Sequence, residues 1–106
     1  MTWRSWLEQN HDESSGVRLV LSKKGGHVTE LNYEAALQEA LCFGWIDGQG
    51  TKRDEGSWLV QFTPRTAHSQ WSQRNRERVA KLESEGRMTD AGRAAVEMAK
   101  ANGRWA

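Results

Sequence analysis

The sequence has a single cysteine, Cys42, a single proline, Pro64, and no apolar run long enough to cross a bilayer. One cysteine excludes an intrachain disulfide and a cysteine zinc cluster, and it is typical of a reducing compartment. The N-terminus lacks the apolar stretch of a signal peptide. We therefore expect a cytoplasmic protein that does not insert into a membrane.

The motifs of common cofactor sites are also missing. Gly48, Gly50 and Gly56 match neither the GxGxxG pattern nor the phosphate-binding loop of nucleotide enzymes. The run His11–Glu13 carries metal-ligating atoms, but adjacent side chains rarely converge on one ion, and no HExxH spacing supports it. We expect neither a cofactor nor a metal site.

Positive charge is not in large excess, since the formal net charge is +1, whereas a dedicated nucleic-acid binder is strongly basic. Residues 64–106 carry nine Lys or Arg against five Asp or Glu and are mildly basic. Glutamates at 77, 83 and 85 interrupt the arginines of this region. Weak nucleic-acid binding by the C-terminal helices is therefore kept only as an alternative.

Six tryptophans among 106 residues are the main anomaly of the composition. A chain of this length forms one domain around one core, and no linker divides residues 1–106. Tryptophan is large, and its indole N–H needs a partner when it is buried. We expect most of the tryptophans in the core and one or two at a groove.

Apolar residues at every second position predict strands, and apolar residues at helical spacing after a capping residue predict amphipathic helices. The predicted strands and helices segregate along the chain and do not alternate as βαβ units. The predicted helices are 3–10, 33–43, 70–85 and 90–102, capped by Thr2, Asn32, Ser69 and Thr89. The predicted strands are a segment from Val17 to Leu21 and a hairpin over 45–62, whose two strands are 45–47 and 58–62. This pattern favours an α+β fold, with a small antiparallel sheet of about three strands packed against three to four helices, mainly on one face.

The predicted ligand site joins the hairpin to the stretch from Thr63 to Asn75. If the hairpin packs on the helix that Ser69 is expected to cap, Asp47 and Arg65 approach each other at one end of the sheet. The helix N-terminus adds free N–H groups and a positive dipole, which together bind anions. A tryptophan could offer a stacking face. The candidate ligand-binding residues are Trp45, Asp47, Lys52, Arg65, Ser69, Trp71 and Asn75.

Other interpretations of the same residues stay open. An Asp47–Arg65 ion pair could instead fasten the hairpin, with Ser69 as a helix cap and the tryptophans in the core. An enzyme using Asp47 as general acid or base would require a pocket and a perturbed pKa. Cys42 lies in an apolar helical stretch and is interpreted as a core residue. The sequence identifies no catalytic residue.

Three segments resemble the bacterial YdeI/OmpD-associated family, whose members are often labelled bacteriocin-protection proteins. They are the GWIDG junction at Gly44–Gly48, the TPR…S.WS..N stretch at Thr63–Asn75 and the G.MT..G turn at Gly86–Gly92. The resemblance spans nearly the whole chain. It implies association with a porin and protection from bacteriocins, without an established reaction. Typical members continue into a helical segment rich in Arg and Lys, so this chain resembles a short form.

Together these observations predict a small binding or interaction module. We expect it to hold a polar or anionic ligand, or to contact a protein partner, near Asp47 and Arg65.

Overall fold

The computed structural model describes residues 2–22, 31–66 and 69–105. These residues form an α+β fold with four helices and a three-stranded antiparallel sheet, as the sequence predicts. In chain order the elements are α1 (Trp3–Asn10), β1 (Val17–Ser22), α2 (Tyr33–Cys42), β2 (Trp45–Lys52), β3 (Ser57–Pro64), α3 (Gln73–Ser84) and α4 (Asp90–Ala101).

Local side-chain chemistry sets three of the helix starts. Thr2, Asn32 and Thr89 have extended backbones, and each side chain accepts a hydrogen bond from the backbone N–H three residues further on. This bond satisfies a donor for which the helix has no carbonyl. These three predicted caps are confirmed.

The predicted start of the third helix is wrong. We expected Ser69 to cap a helix over 70–85, but α3 begins at Gln73, and its cap is Ser72, whose hydroxyl accepts the N–H of Asn75 at 3.1 Å. The hydroxyl of Ser69 instead accepts the N–H of Thr66 at 3.1 Å. The anion site predicted at the Ser69 helix start is therefore absent.

Trp71 lies just before the start of α3 and is held by a long-range contact. Its side chain is only 3% exposed, and its backbone N–H donates to the carbonyl of Arg104 at 3.1 Å. This bond fastens the residues before α3 to the chain beyond α4, a contact that local sequence does not reveal.

The sheet has the order β1-β3-β2, so the central strand is β3. Trp45 pairs with Pro64 and Asp47 with Phe62, after which Gly48 and Gln49 together oppose Gln61 in a bulge. The strand predicted from the sequence, 45–47, ends where this bulge begins. The observed strand β2 is longer, because pairing resumes after the bulge and continues to Lys52. The hairpin itself is confirmed.

The helices cover one face of the sheet, as predicted. Leu21, Val60 and Phe62 point to the covered face and are at most 1% exposed, whereas Arg18 and Gln61 on the opposite face are exposed. Helix α2 is central to this layer because it contacts the other three helices as well as β1 and β2. No helix among the described residues has the length and apolar character needed to span a membrane.

Cys42 lies at the end of α2 and is fully buried. Burial raises the pKa of its thiol, which opposes formation of the reactive thiolate. The interpretation of Cys42 as a core residue is confirmed.

Candidate functional site

The candidate site is built around the junction between α2 and β2. Gly44 ends the helix with a φ of 77°, a conformation that favours glycine, and its carbonyl accepts the backbone N–H of Arg65 at 2.9 Å. Helix α4 passes so close that a Cβ on Gly44 would lie 3.1 Å from both the Ala91 carbonyl oxygen and the Ala95 Cβ. The junction is thereby packed between the end of β3 and α4.

A second contact joins α4 to the same junction. The carbonyl of Cys42 accepts both the backbone N–H of Thr89, at 3.0 Å, and its hydroxyl, at 2.5 Å. Gly92 lies against this carbonyl, and a Cβ there would be 2.8 Å from the carbonyl carbon. Of the three segments that carry the family resemblance, the first therefore lies against both of the others at Gly44, which contacts Arg65 and lies close to Ala91.

Beside this junction lies an apolar cleft of about 330 Å³. One wall consists of α4 side chains that are mostly small, and the other consists of the end of β3 and Trp71. The small alanines of α4 leave the space open. The cleft is lined by His11, residues 43–45 and 64–66, Trp71, Ala91, Ala94, Ala95 and Met98.

Arg65 is the charged residue of this cleft. Its guanidinium carbon lies 3.6 Å from the centre of the Trp71 ring, a cation–π contact. Within the described residues, its Nε is buried without a hydrogen-bond partner, and no carboxylate forms an ion pair with it. Burial lowers the pKa of Arg65 to about 10, although the nearby charge of Asp47 opposes this shift. Arg65 is still a cation at neutral pH.

His11 also lines the cleft, although it was not among the residues predicted for the site. Its Nδ1 lies 2.7 Å from the carbonyl oxygen of Leu7 and therefore donates to it, which leaves Nε2 for another partner. Its ring packs on Phe43, with ring centres 5.1 Å apart. Only the tertiary fold places His11 in the same cleft as Arg65, so no spacing in the sequence could have indicated it.

Trp45 lies at the back of the cleft but offers no stacking face, because it is only 1% exposed. Its ring meets those of Trp3 and Trp6 edge-on, at 6.4 and 5.8 Å between centres. Its indole N–H donates to the carbonyl of His11 at 3.3 Å. Trp45 is thus a core residue that positions His11, whereas Trp71 is the tryptophan whose ring contacts the guanidinium of Arg65.

Asp47 lies near enough to Arg65 for its charge to act on the arginine, but the described residues show no ion pair between the two. One of its carboxylate oxygens accepts a hydrogen bond from the hydroxyl of Tyr33 at 2.7 Å, and Asp47 does not line the cleft. Burial, with a further contribution from this hydrogen bond and the charge of Asp47, raises the pKa of Tyr33 to about 12. The tyrosine therefore stays a neutral donor to the carboxylate.

The remaining predicted residues lie outside the cleft. Lys52 is at the far end of the hairpin and pairs with exposed Glu55 at 3.6 Å. The hydroxyl of Ser69 accepts the N–H of Thr66, as described for the start of α3. Asn75 is buried within α3, where its side-chain oxygen accepts a hydrogen bond from Arg78 at 2.9 Å. Of the seven candidates, Trp45, Arg65 and Trp71 meet in one cleft.

The described part of the chain brings together no group of three or more His, Cys, Asp or Glu side chains that could hold a metal ion. The chemistry available in the cleft is that of a cation, an imidazole nitrogen and apolar surface.

The chain belongs to a family described as a domain of unknown function (DUF8412), which matches residues 1–95. No curated protein and no solved structure matches the chain. The resemblance to the YdeI/OmpD-associated family stays a prediction from the sequence motifs.

Proposed function

We propose, for this member of a family without an assigned function, that the cleft between α4 and the end of β3 binds a small organic anion. The observation that carries the proposal is the state of Arg65. A cation removed from water is costly unless a counter-ion and hydrogen bonds compensate it, and the described residues supply neither an ion pair nor a partner for Nε. A bound anion would supply both.

The composition of the cleft favours a monocarboxylate with an apolar body. A guanidinium pairs well with a planar carboxylate, because its N–H groups match the two oxygens. The face of Arg65 rests on Trp71, so its edge is the part suited to a ligand. The alanines and Met98 would contact the apolar body. A volume of about 330 Å³ lies at the small end of ligand pockets.

The test is a titration with benzoate that is monitored by NMR. The indole N–H signals of Trp45 and Trp71 report on the cleft. Arg65→Gln should weaken binding at least about tenfold, as expected when a hydrogen bond to a charged group is lost. Arg74→Gln removes an exposed arginine nearby and is the matched control. Benzyl alcohol, which has the same ring but no charge, should bind weakly. Equal binding of benzoate to wild type and Arg65→Gln would contradict the proposal.

The contacts favour this function over the two alternatives. The carboxylate of Asp47 is engaged by Tyr33 and does not line the cleft, so the proposal gives it no acid or base role. In the basic C-terminal part, Arg78, Arg87 and Arg93 each pair with a glutamate, which reduces the positive field available to a phosphate backbone.

The family resemblance adds a physiological proposal: protection of a bacterial cell from bacteriocins by a cytoplasmic protein. Support comes from the packing of the first resembling segment against the other two, namely Gly44 with Arg65 and Gly44 beside Ala91. Survival of a bacteriocin-sensitive strain that expresses wild type, Arg65→Gln or an empty vector would test it. Survival of the wild-type strain no better than the vector control would refute it.

A further inference from the structure

A second cleft, of about 460 Å³, lies between α3 and α4 on the other side of the Trp71–Trp105 ring pair. Its apolar lining includes Val79, Met88 and Val96, and Trp105 also lines it. It shares no lining residue with the Arg65 cleft, and its volume lies in the range of small-molecule pockets.

The charges around this cleft do not balance. Glu83 pairs with Arg93 at 3.0 Å, and Glu97 approaches Lys100 at 3.9 Å. Arg76 also lines the cleft, but it has no carboxylate partner among the described residues, and its Nε is buried without a hydrogen-bond partner. The lining therefore holds three cations against two carboxylates, and the unmatched charge is that of Arg76.

We infer that the cleft between α3 and α4 binds an amphipathic carboxylate, with the carboxylate at Arg76 and the apolar chain over Val79, Met88 and Val96. The half-buried guanidinium needs an acceptor, and an anion with an apolar body satisfies both features of the lining. A single negative charge fits best, because Glu83 and Glu97 would repel a second one. This site is separate from the one proposed at Arg65.

Octanoate is the probe, and 1-octanol is its uncharged counterpart. Octanoate should shift the amide NMR signals of residues 76–80 and 93–97 and the indole N–H signal of Trp105, and octanol should bind much more weakly. Arg76→Gln should weaken octanoate binding at least about tenfold, as for loss of a hydrogen bond to a charged group. Arg74→Gln, an exposed change on the same helix, should leave it unchanged.

Two further variants keep the test decisive. Arg76→Lys retains the charge and should keep part of the affinity, whereas Ala80→Phe should fill the cleft and abolish binding. A dispersed amide spectrum verifies that each variant is folded. Octanoate binding that survives Arg76→Gln, or that is lost in Arg65→Gln instead, would overturn the inference. The benzoate test at Arg65 is independent, so either site can fail while the other stands.

Discussion

Replacing Arg65 by methionine should increase the free energy of unfolding, although the substitution removes the central residue of the proposed site. Burial lowers the pKa of Arg65 from its usual, higher value to about 10. Neutral pH lies below both pKa values, so the buried guanidinium is protonated and the full free-energy cost of burying its charge applies there. At about 1.4 kcal/mol for each tenfold change in the acid dissociation constant, the upper limit of this cost is about 3 kcal/mol.

Two effects reduce that cost. Solvent screens part of it, because the Arg65 side chain is only half-buried. The contact with Trp71 at 3.6 Å returns roughly 1 kcal/mol or somewhat more as a cation–π interaction. Methionine keeps an unbranched apolar chain on the tryptophan without the charge. The upper limit of about 3 kcal/mol less about 1 for the cation–π contact leaves about 2 kcal/mol. Because screening lowers this further, we expect Arg65→Met to stabilise the protein by about 1 kcal/mol.

Urea unfolding at pH 7, followed by tryptophan fluorescence, measures this change as a higher midpoint with an unchanged slope. Arg74→Met, at an exposed position, is the control and should change stability by less than about 0.5 kcal/mol. Saturating benzoate should stabilise wild type by about 2.7 kcal/mol at a hundred times its Kd, and Arg65→Met by no more than about 1.4 kcal/mol, because its site is expected to be at least about tenfold weaker. Destabilisation of Arg65→Met by 1 kcal/mol or more would refute the argument, since Arg65 would then be a scaffold residue.

Three other predictions concern the surroundings of the site. Gly92→Ala should destabilise the protein by about 2 kcal/mol in urea unfolding, because overpacking against the Cys42 carbonyl outweighs a gain of about 1 kcal/mol in helix propensity. Tyr33 is the only tyrosine, so an ultraviolet titration should show its phenol ionising near pH 12, and at lower pH in Asp47→Asn. A hydrogen bond from Arg78 lowers the pKa of Glu34 to about 2. This carboxylate should therefore stabilise the fold above pH 4.5, and its contribution should be lost progressively as the pH falls toward 2.

Each of these predictions has a clear contrary result. A more stable Gly92→Ala would mean that α4 does not approach the junction so closely. A phenol that titrates near pH 10 would exclude the buried contact between Tyr33 and Asp47. For the acid dependence, Glu34→Gln is the comparison: its stability should fall less steeply below pH 4.5, and a curve parallel to that of wild type would show that this carboxylate contributes nothing.

The elements that the sequence predicted well depend on neighbouring residues. Thr2, Asn32 and Thr89 were recognisable as caps because a capping side chain bonds to an N–H only three residues away. Alternating apolar residues likewise indicated β1 and β3, and their segregation from the helices indicated the α+β class. The error at Ser69 has a physical cause, since Ser72 has the same capping chemistry and local sequence does not distinguish the two serines.

The sequence by itself determined the class of fold and most element boundaries, because caps, periodicity and turn residues act over a few positions. Only the tertiary structure decided which side chains share a cleft. It placed His11 in the same cleft as Arg65, joined Asp47 to Tyr33 and left two arginine Nε atoms without partners among the described residues. Whether a buried charge is paired depends on packing between distant segments, and local patterns carry no information about it.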